Sequence, residues 1–233
     1  MRRLLQLQKE HYIKQKQFNK LNPMKTRIFN LITIDESGSM QSIKKETIDS
    51  VNETIQTIRS AQRKHEEQEH LVTLVTFNDD VKSVYECVPV NEVKELTAES
   101  YCPDCCTALY DAMGMSLNAL RKSVAEEDTV LVTIVTDGYE NSSREYDGKA
   151  IKALVDELKA KGWVFAYVGA NHDVESAAAH ISITNVMNFE ASHSGVKCMS
   201  ATMASARSRL FDRIANGNFS SAEANEDFFD KEI

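Results

Sequence analysis

Apolar residues along this chain fall into two rhythms. Runs that are apolar at odd and even positions alike occur at Arg27–Ile34, Leu71–Phe77, Thr129–Thr136, Trp163–Val168 and, more briefly, Val186–Phe189. Strands covered on both faces read this way. Asn78-Asp79-Asp80 is a turn signal, and Val81–Tyr85 after it reads as the return strand of a hairpin. Between these runs the spacing changes to three and four. Ile48, Val51, Ile55 and Ile58 form one stripe, and Leu109, Ala112, Met113, Leu117, Leu120 and Val124, over 108–124, a second. Ile151, Leu154, Val155 and Leu158 form a third, and Met199, Met203, Ala206, Leu210 and Ile214 a fourth. Each stripe predicts a helix with one buried face, and the methionines are core residues. Gly162, following Lys159 and Lys161, is a helix stop.

Strands alternating with helices predict an α/β fold: a doubly wound, mostly parallel sheet flanked by helices on both faces, with one antiparallel edge strand. In such sheets ligands bind beyond the carboxyl ends of the strands, where the strand order reverses. The expected organisation is a basic leader over 1–23, one domain over 24–215 and a weakly ordered acidic tail over 216–233. Met24 is an alternative start for the chain.

With 233 residues and 42% apolar content, the chain suffices for one sizeable domain. No run of about 18 apolar residues is present, so no membrane span is expected. Polar residues interrupt Leu4-Leu5, so no signal peptide is read, and a cytoplasmic location is expected. The net charge is −8, distributed as +5 over residues 1–23 and −13 over the rest. A body that acidic argues against nucleic-acid binding by the main domain. The leader reads as a solvated segment, with a nucleic-acid or membrane-surface arm as the alternative. Five cysteines, an odd number without a secretion signal, suggest free thiols. The six histidines show no ligand spacing and are read as surface or structural residues.

The candidate chemistry sits at two strand ends. Asp35-Glu36-Ser37-Gly38-Ser39 follows the first strand and offers one carboxylate and two hydroxyls at alternate positions. Hard cations take oxygen ligands, and Mg²⁺ takes six in a near-octahedral array. Thr136-Asp137-Gly138 ends another strand of the same parallel set, so Asp137 belongs to the same sheet edge. A third piece, Thr107-Ala108-Leu109-Tyr110, opens a helix.

These three pieces, in this order, resemble the metal-ion-dependent adhesion site of von Willebrand factor type A domains, the fold shared with integrin inserted domains. The similarity extends over about residues 24–215, including Tyr167-Val168-Gly169-Ala170-Asn171. It implies strand order 3-2-1-4-5-6. It also implies that Ser37 and Ser39 bind a metal through their hydroxyls, that Asp35 and Thr107 bind directly or through water, and that Asp137 acts mainly through water. Hard oxygen ligands and retained waters suit Mg²⁺, with Mn²⁺ as a substitute. The implied activity is that of a protein-binding module, not an enzyme, whose metal keeps one position for an Asp or Glu carboxylate of a partner protein. Intracellular bacterial-type members are the implied setting.

Two other readings compete. A Mg²⁺-dependent phosphoryl hydrolase would use Asp35 as nucleophile, but its second acid would have to stand at Ser37, and a hydroxyl is a poor general acid. A structural subunit would use the metal only to stabilise its fold. Glu36, between the ligands, is expected to face solvent. Asn141, Ser142 and Ser143 either shape the rim or serve as turn residues. Cys102-Pro103-Asp104-Cys105-Cys106 departs from the family, in which the residues before the threonine are usually glycine or small. The thiols read first as inert, then as redox regulators of the threonine loop, then as part of a zinc site.

Overall fold

The structure is a computed structural model, which describes residues 25–171 and 173–229. The basic leader, Met24 and His172 lie outside these residues. In chain order the elements are β1 (Thr26–Asp35), a 3₁₀ turn (Gly38–Ile43), α1 (Lys44–Lys64), β2 (Gln68–Phe77) and β3 (Val81–Pro89). They continue with α2 (Leu109–Leu120), β4 (Thr129–Thr136), α3 (Gly148–Ala160), β5 (Val164–Gly169), α4 (Val174–His180), β6 (Asn185–Asn188), α5 (His193–Ala215) and α6 (Ser221–Asp227).

One six-stranded sheet has the order β3-β2-β1-β4-β5-β6. β3 runs antiparallel to β2, and the other pairings are parallel. The double-parity apolar runs are explained by what lies on each face. Ile28, Ile32 and Ile34 of β1 pack with Val51, Ile55 and Ile58 of α1 and Met199 and Met203 of α5. Phe29 and Leu31, pointing the other way, pack with Met113 and Leu117 of α2 and Ile151 and Val155 of α3. Full burial of each such side chain stabilises the fold by about 1.5–3 kcal/mol. Among the described residues, no helix is long and apolar enough to cross a membrane.

Residues 216–229 differ from the expected weakly ordered tail, whose last four residues lie outside the described residues. Ala224 and Phe228 of this segment join Ala206 and Leu210 of α5 in covering Leu131, Val164 and Ala166 of the sheet. Asn225 pins α6 in place: its Nδ2 donates to the carbonyls of Trp163 (2.8 Å) and Ser221 (2.9 Å), and its Oδ1 accepts from the Phe165 amide (3.1 Å). An acidic composition concealed two apolar anchors and one buried amide. Asn225→Ala is expected to cost about 2–3 kcal/mol, because it leaves buried backbone groups unpaired. Urea denaturation checks this, and a loss below about 0.5 kcal/mol would mean α6 contributes little.

The strand register levels the carboxyl edge of the sheet. Asp35 lies opposite Phe77, Ile34 opposite Val135, and Thr136 opposite Gly169. The strand order reverses between β1 and β4, so Asp35 and Asp137 flank the crevice that a doubly wound sheet opens there.

Candidate metal centre

The turn after β1 is built around the Asp35 carboxylate. Its Oδ1 accepts from the Ser37 amide (2.7 Å) and its Oδ2 from the Thr136 hydroxyl (2.5 Å), which ties β1 to β4. The buried Tyr101 hydroxyl donates to the Asp35 carbonyl (2.6 Å). Asp35 is 0% exposed. Burial pushes its carboxyl up to about 6, against the opposing bonds from Thr136 and Ser37, and nearby Asp137 adds to the rise.

The turn folds the hydroxyls toward β4. Ser37 Oγ lies 3.2 Å from Ser39 Oγ, and Ser39 Oγ donates to Asp137 Oδ1 at 2.5 Å. Thr107 reaches the same place from the start of α2. A Cβ placed on Gly138 would stand 3.8 Å from Thr107 Oγ1 and 4.0 Å from Ser39 Oγ, so both hydroxyls border one space that the bare glycine keeps open. Of the five residues singled out in the sequence, Ser37, Ser39 and Asp137 thus form a linked chain. Thr107 shares the space beside Ser39, and Asp35 stands behind the turn and shapes it.

The supporting residues were largely invisible in the sequence. Glu36 does not face solvent as expected. It is 8% exposed, its Oε1 accepts from the Cys102 amide, and its carbonyl accepts from the Asp104 amide (2.9 Å). The Gly38 amide donates to the Cys105 carbonyl (3.1 Å), so the cysteine loop clasps the metal turn from both sides. Asn141 Oδ1 accepts from the Thr107 amide (2.9 Å), and the Asn141 amide donates to the Thr107 carbonyl (3.0 Å). That makes Asn141 a clamp on the threonine as well as a turn residue. Glu140 accepts from the amides of Tyr110, Ser142 and Ser143, fastening the following loop to α2.

The cysteine loop has a physical account of its own. Cys105 adopts φ +64°, a left-handed conformation that glycine takes without strain. Cys102, Cys105 and Cys106 are exposed free thiols. The negative charge of Asp104, with burial and Asp79 adding, pushes the Cys105 thiol up and disfavours the reactive thiolate. Among the described residues, no group of three or more His, Cys, Asp or Glu side chains is placed to hold a metal ion. His70, by contrast, is buried between Gln68 and Asn30, and burial, followed by the charges of His65 and Arg207, pushes it down to about 4.

The residues fit a hard divalent cation. Every donor is an oxygen, which suits Mg²⁺ or Mn²⁺. Adjacent ligands of an octahedral Mg²⁺ are about 2.9 Å apart, close to the Ser37–Ser39 hydroxyl separation. Two carboxylates that repel each other would be neutralised by one dication. A proton on Asp35 would remove one of the two negative charges that balance the cation. The apparent Mg²⁺ affinity is therefore expected to fall, by up to about tenfold per pH unit, below about 6 and to level off above about 7. Calorimetric titration from pH 5 to 8 checks this, and a flat profile would contradict it.

A family model for the von Willebrand factor type A domain matches residues 31–202. No curated protein sequence matches the chain. Among solved structures, a mutant of the PilB minor pilin from Streptococcus sanguinis is similar at TM-score 0.56 and 13% identity, covering 81% of this chain and 63% of its own. A von Willebrand factor type A protein from Catenulispora acidiphila is similar at TM-score 0.52 and 12% identity, covering 78% and 42%. Proximal thread matrix protein 1 from the mussel byssus, described with a zinc-occupied MIDAS motif, is similar at TM-score 0.50 and 16% identity, covering 79% and 46%. The chain spans roughly half the length of these structures. The family match, covering most of the sheet and the whole candidate site, places this chain in the von Willebrand factor type A domain family.

Proposed function

We propose that this domain is a divalent-metal-dependent protein-binding module. Its metal, Mg²⁺ with Mn²⁺ as a substitute, is held by Ser37, Ser39, Thr107 and Asp137, with Asp35 acting through water from behind the turn. The observation that carries the reading is the run of oxygens from buried Ser37 Oγ through exposed Ser39 Oγ to buried Asp137 Oδ1 at the carboxyl edge of the sheet. When bound, the cation supplies a hard Lewis acid for an Asp or Glu carboxylate of a partner protein. Ser37 and Ser39 present hydroxyl lone pairs, Asn141 orients Thr107, and Asp35 fixes the turn by holding the Ser37 amide. The metal-occupied MIDAS of the mussel protein supports divalent binding at this kind of site.

A hydrolase reading finds less support. A carboxylate nucleophile must reach substrate, yet Asp35 is fully buried with both oxygens hydrogen-bonded. The exposed thiols of Cys102, Cys105 and Cys106 support placing the module in a reducing compartment, which for us means the cytoplasm.

The test is capture of partners from the native host on immobilised wild-type and Ser39→Ala protein, in Mg²⁺ and then in chelator. A partner held by wild type in Mg²⁺, released by chelator and absent from the variant is the expected result. Retention indifferent to both would overturn the reading, as would Mg²⁺-dependent hydrolysis of p-nitrophenyl phosphate that Ser39→Ala abolishes. A purely structural metal would stabilise the fold without making partner retention chelator-sensitive.

A further inference from the structure

We infer that the partner's carboxylate arrives flanked by Lys or Arg side chains, and that Tyr139 and the acidic rim around the metal turn select it. This rests on the metal-bridged reading above and adds the chemistry of the surrounding contact.

Two independent observations carry it. The first is an aromatic ring presented to solvent. Tyr139 is 56% exposed and, with Met115, is one of two exposed large hydrophobic side chains among the described residues. It stands two positions after Asp137, and its hydroxyl accepts from the Asp173 amide at 2.9 Å, which anchors the end of the ring. An anchored, solvent-facing ring beside a binding site contributes contact area at small entropic cost, and tyrosine is enriched at such energetic centres.

The second is the charge of the edge that carries the site. The segments joining elements there, 36–43, 78–80, 95–108, 137–147, 170–173 and 189–192, contain twelve Asp and Glu residues against one Arg144, with His172 outside the described residues. Two exposed acids stand beside the turn and a third beside Tyr139. Asp79 Oδ1 accepts from the Cys106 amide (2.8 Å), Asp104 lies in the loop that clasps Gly38, and Asp173 adjoins Tyr139. Lys44, at the start of α1, donates to the Ala98 carbonyl and sets one positive charge beside these segments, and Lys45 pairs with Asp49. Part of the excess caps helices, as Asp147 and Asp173 do for α3 and α4, but capping leaves the carboxylate charge in place.

A dication balances Asp35 and Asp137 and leaves the rim acids uncompensated. A lone carboxylate approaching within a Debye length of about 8 Å meets their repulsion. Flanking cations reverse its sign, and the Tyr139 ring offers one of them a cation–π face. Complementary rims of this kind chiefly set partner choice and association rate.

The test uses three blocked heptapeptides, Gly-Arg-Arg-Glu-Arg-Arg-Gly, its Glu→Gln form, and the form with serine in place of every arginine. Binding is read by fluorescence anisotropy in Mg²⁺ and in chelator, at two salt concentrations, on wild type, Tyr139→Ala and the Asp79→Asn/Asp104→Asn double variant. The arginine-flanked glutamate peptide should bind in Mg²⁺ roughly tenfold more tightly than the serine-flanked one, and weaken with salt. Both variants should shrink that preference while leaving Mg²⁺ affinity, measured separately, within about threefold of wild type. Equal binding of the two glutamate peptides, with the glutamine form inactive, would overturn this proposal and leave the metal-bridged reading standing. Equal binding of the glutamine and glutamate forms would overturn the metal-bridged reading itself. Failure of every peptide to bind at millimolar concentration would overturn the proposal.

Discussion

Ser39→Ala should lose half or more of the thermal stabilisation that Mg²⁺ gives the parent, while melting within a few degrees of it in chelator. Ser39 is exposed, and its hydroxyl contacts Ser37 and Asp137, so its removal leaves the core untouched. A ligand held at 100 times its Kd stabilises the native state by about 2.7 kcal/mol. For a chain of this size that raises Tm by roughly 5–10 °C. Perturbing a metal's protein environment weakens binding by roughly 10–100-fold, and loss of a direct ligand should do at least as much. The same Mg²⁺ concentration would then add only about 1–5 °C. Scanning calorimetry with a Mg²⁺ series checks this, and an undiminished Mg²⁺ shift in the variant would remove Ser39 from the site. Asp35→Ala is a poorer probe, because its carboxylate also holds the Ser37 amide and the Thr136 hydroxyl.

Arg207→Met is expected to stabilise the protein. Arg207 is 0% exposed on the inner face of α5. Its Nη2 donates to the Thr133 hydroxyl (2.6 Å), and among the described residues no protein group pairs with Nε or Nη1. Burial pulls the guanidinium down to about 10, so holding it charged costs the fold about 3 kcal/mol at neutral pH. Methionine keeps the length and flexibility of the side chain without the charge. Against that gain stands about 1 kcal/mol for leaving the Thr133 hydroxyl unpaired. The net is a gain of about 1–3 kcal/mol, in line with other buried charges replaced by apolar groups. Arg207→Ala should instead cost about 2–5 kcal/mol through the cavity it opens. Denaturant unfolding of both variants decides the matter. Destabilisation by the methionine variant would mean that the guanidinium has strong partners in solution.

Much of this molecule was legible because its signals are local. Both-parity apolar runs of six to eight residues bounded by turn residues read as doubly covered strands, and β1, β2, β4 and β5 lie within a few residues of where the pattern set them. Asp35, Ser37 and Ser39 are close in sequence, and their meeting with Asp137 needed only that two parallel strands end level. What escaped the sequence depends on distant contacts. Glu36 sits at a position that alternation would turn outward, yet it is buried because the chain at Cys102–Asp104 returns to bond it. Arg207 interrupts an otherwise apolar stripe between Met203 and Leu210, and no local rule says that a charged residue there will stay inside. The α6 helix rests on Asn225, whose three bonds reach β5 and its own first turn. Helix α4 spans seven residues, too short to show a stripe, and is marked mainly by its Asp173 cap.

Anomalous diffraction from crystals grown in Mn²⁺ tests the metal assignment most directly. One strong peak roughly 2 Å from the hydroxyl oxygens of Ser37 and Ser39, and absent from Ser39→Ala crystals, is the result this account expects. No peak at that turn, or a peak held by the thiols of Cys102, Cys105 and Cys106, would contradict it.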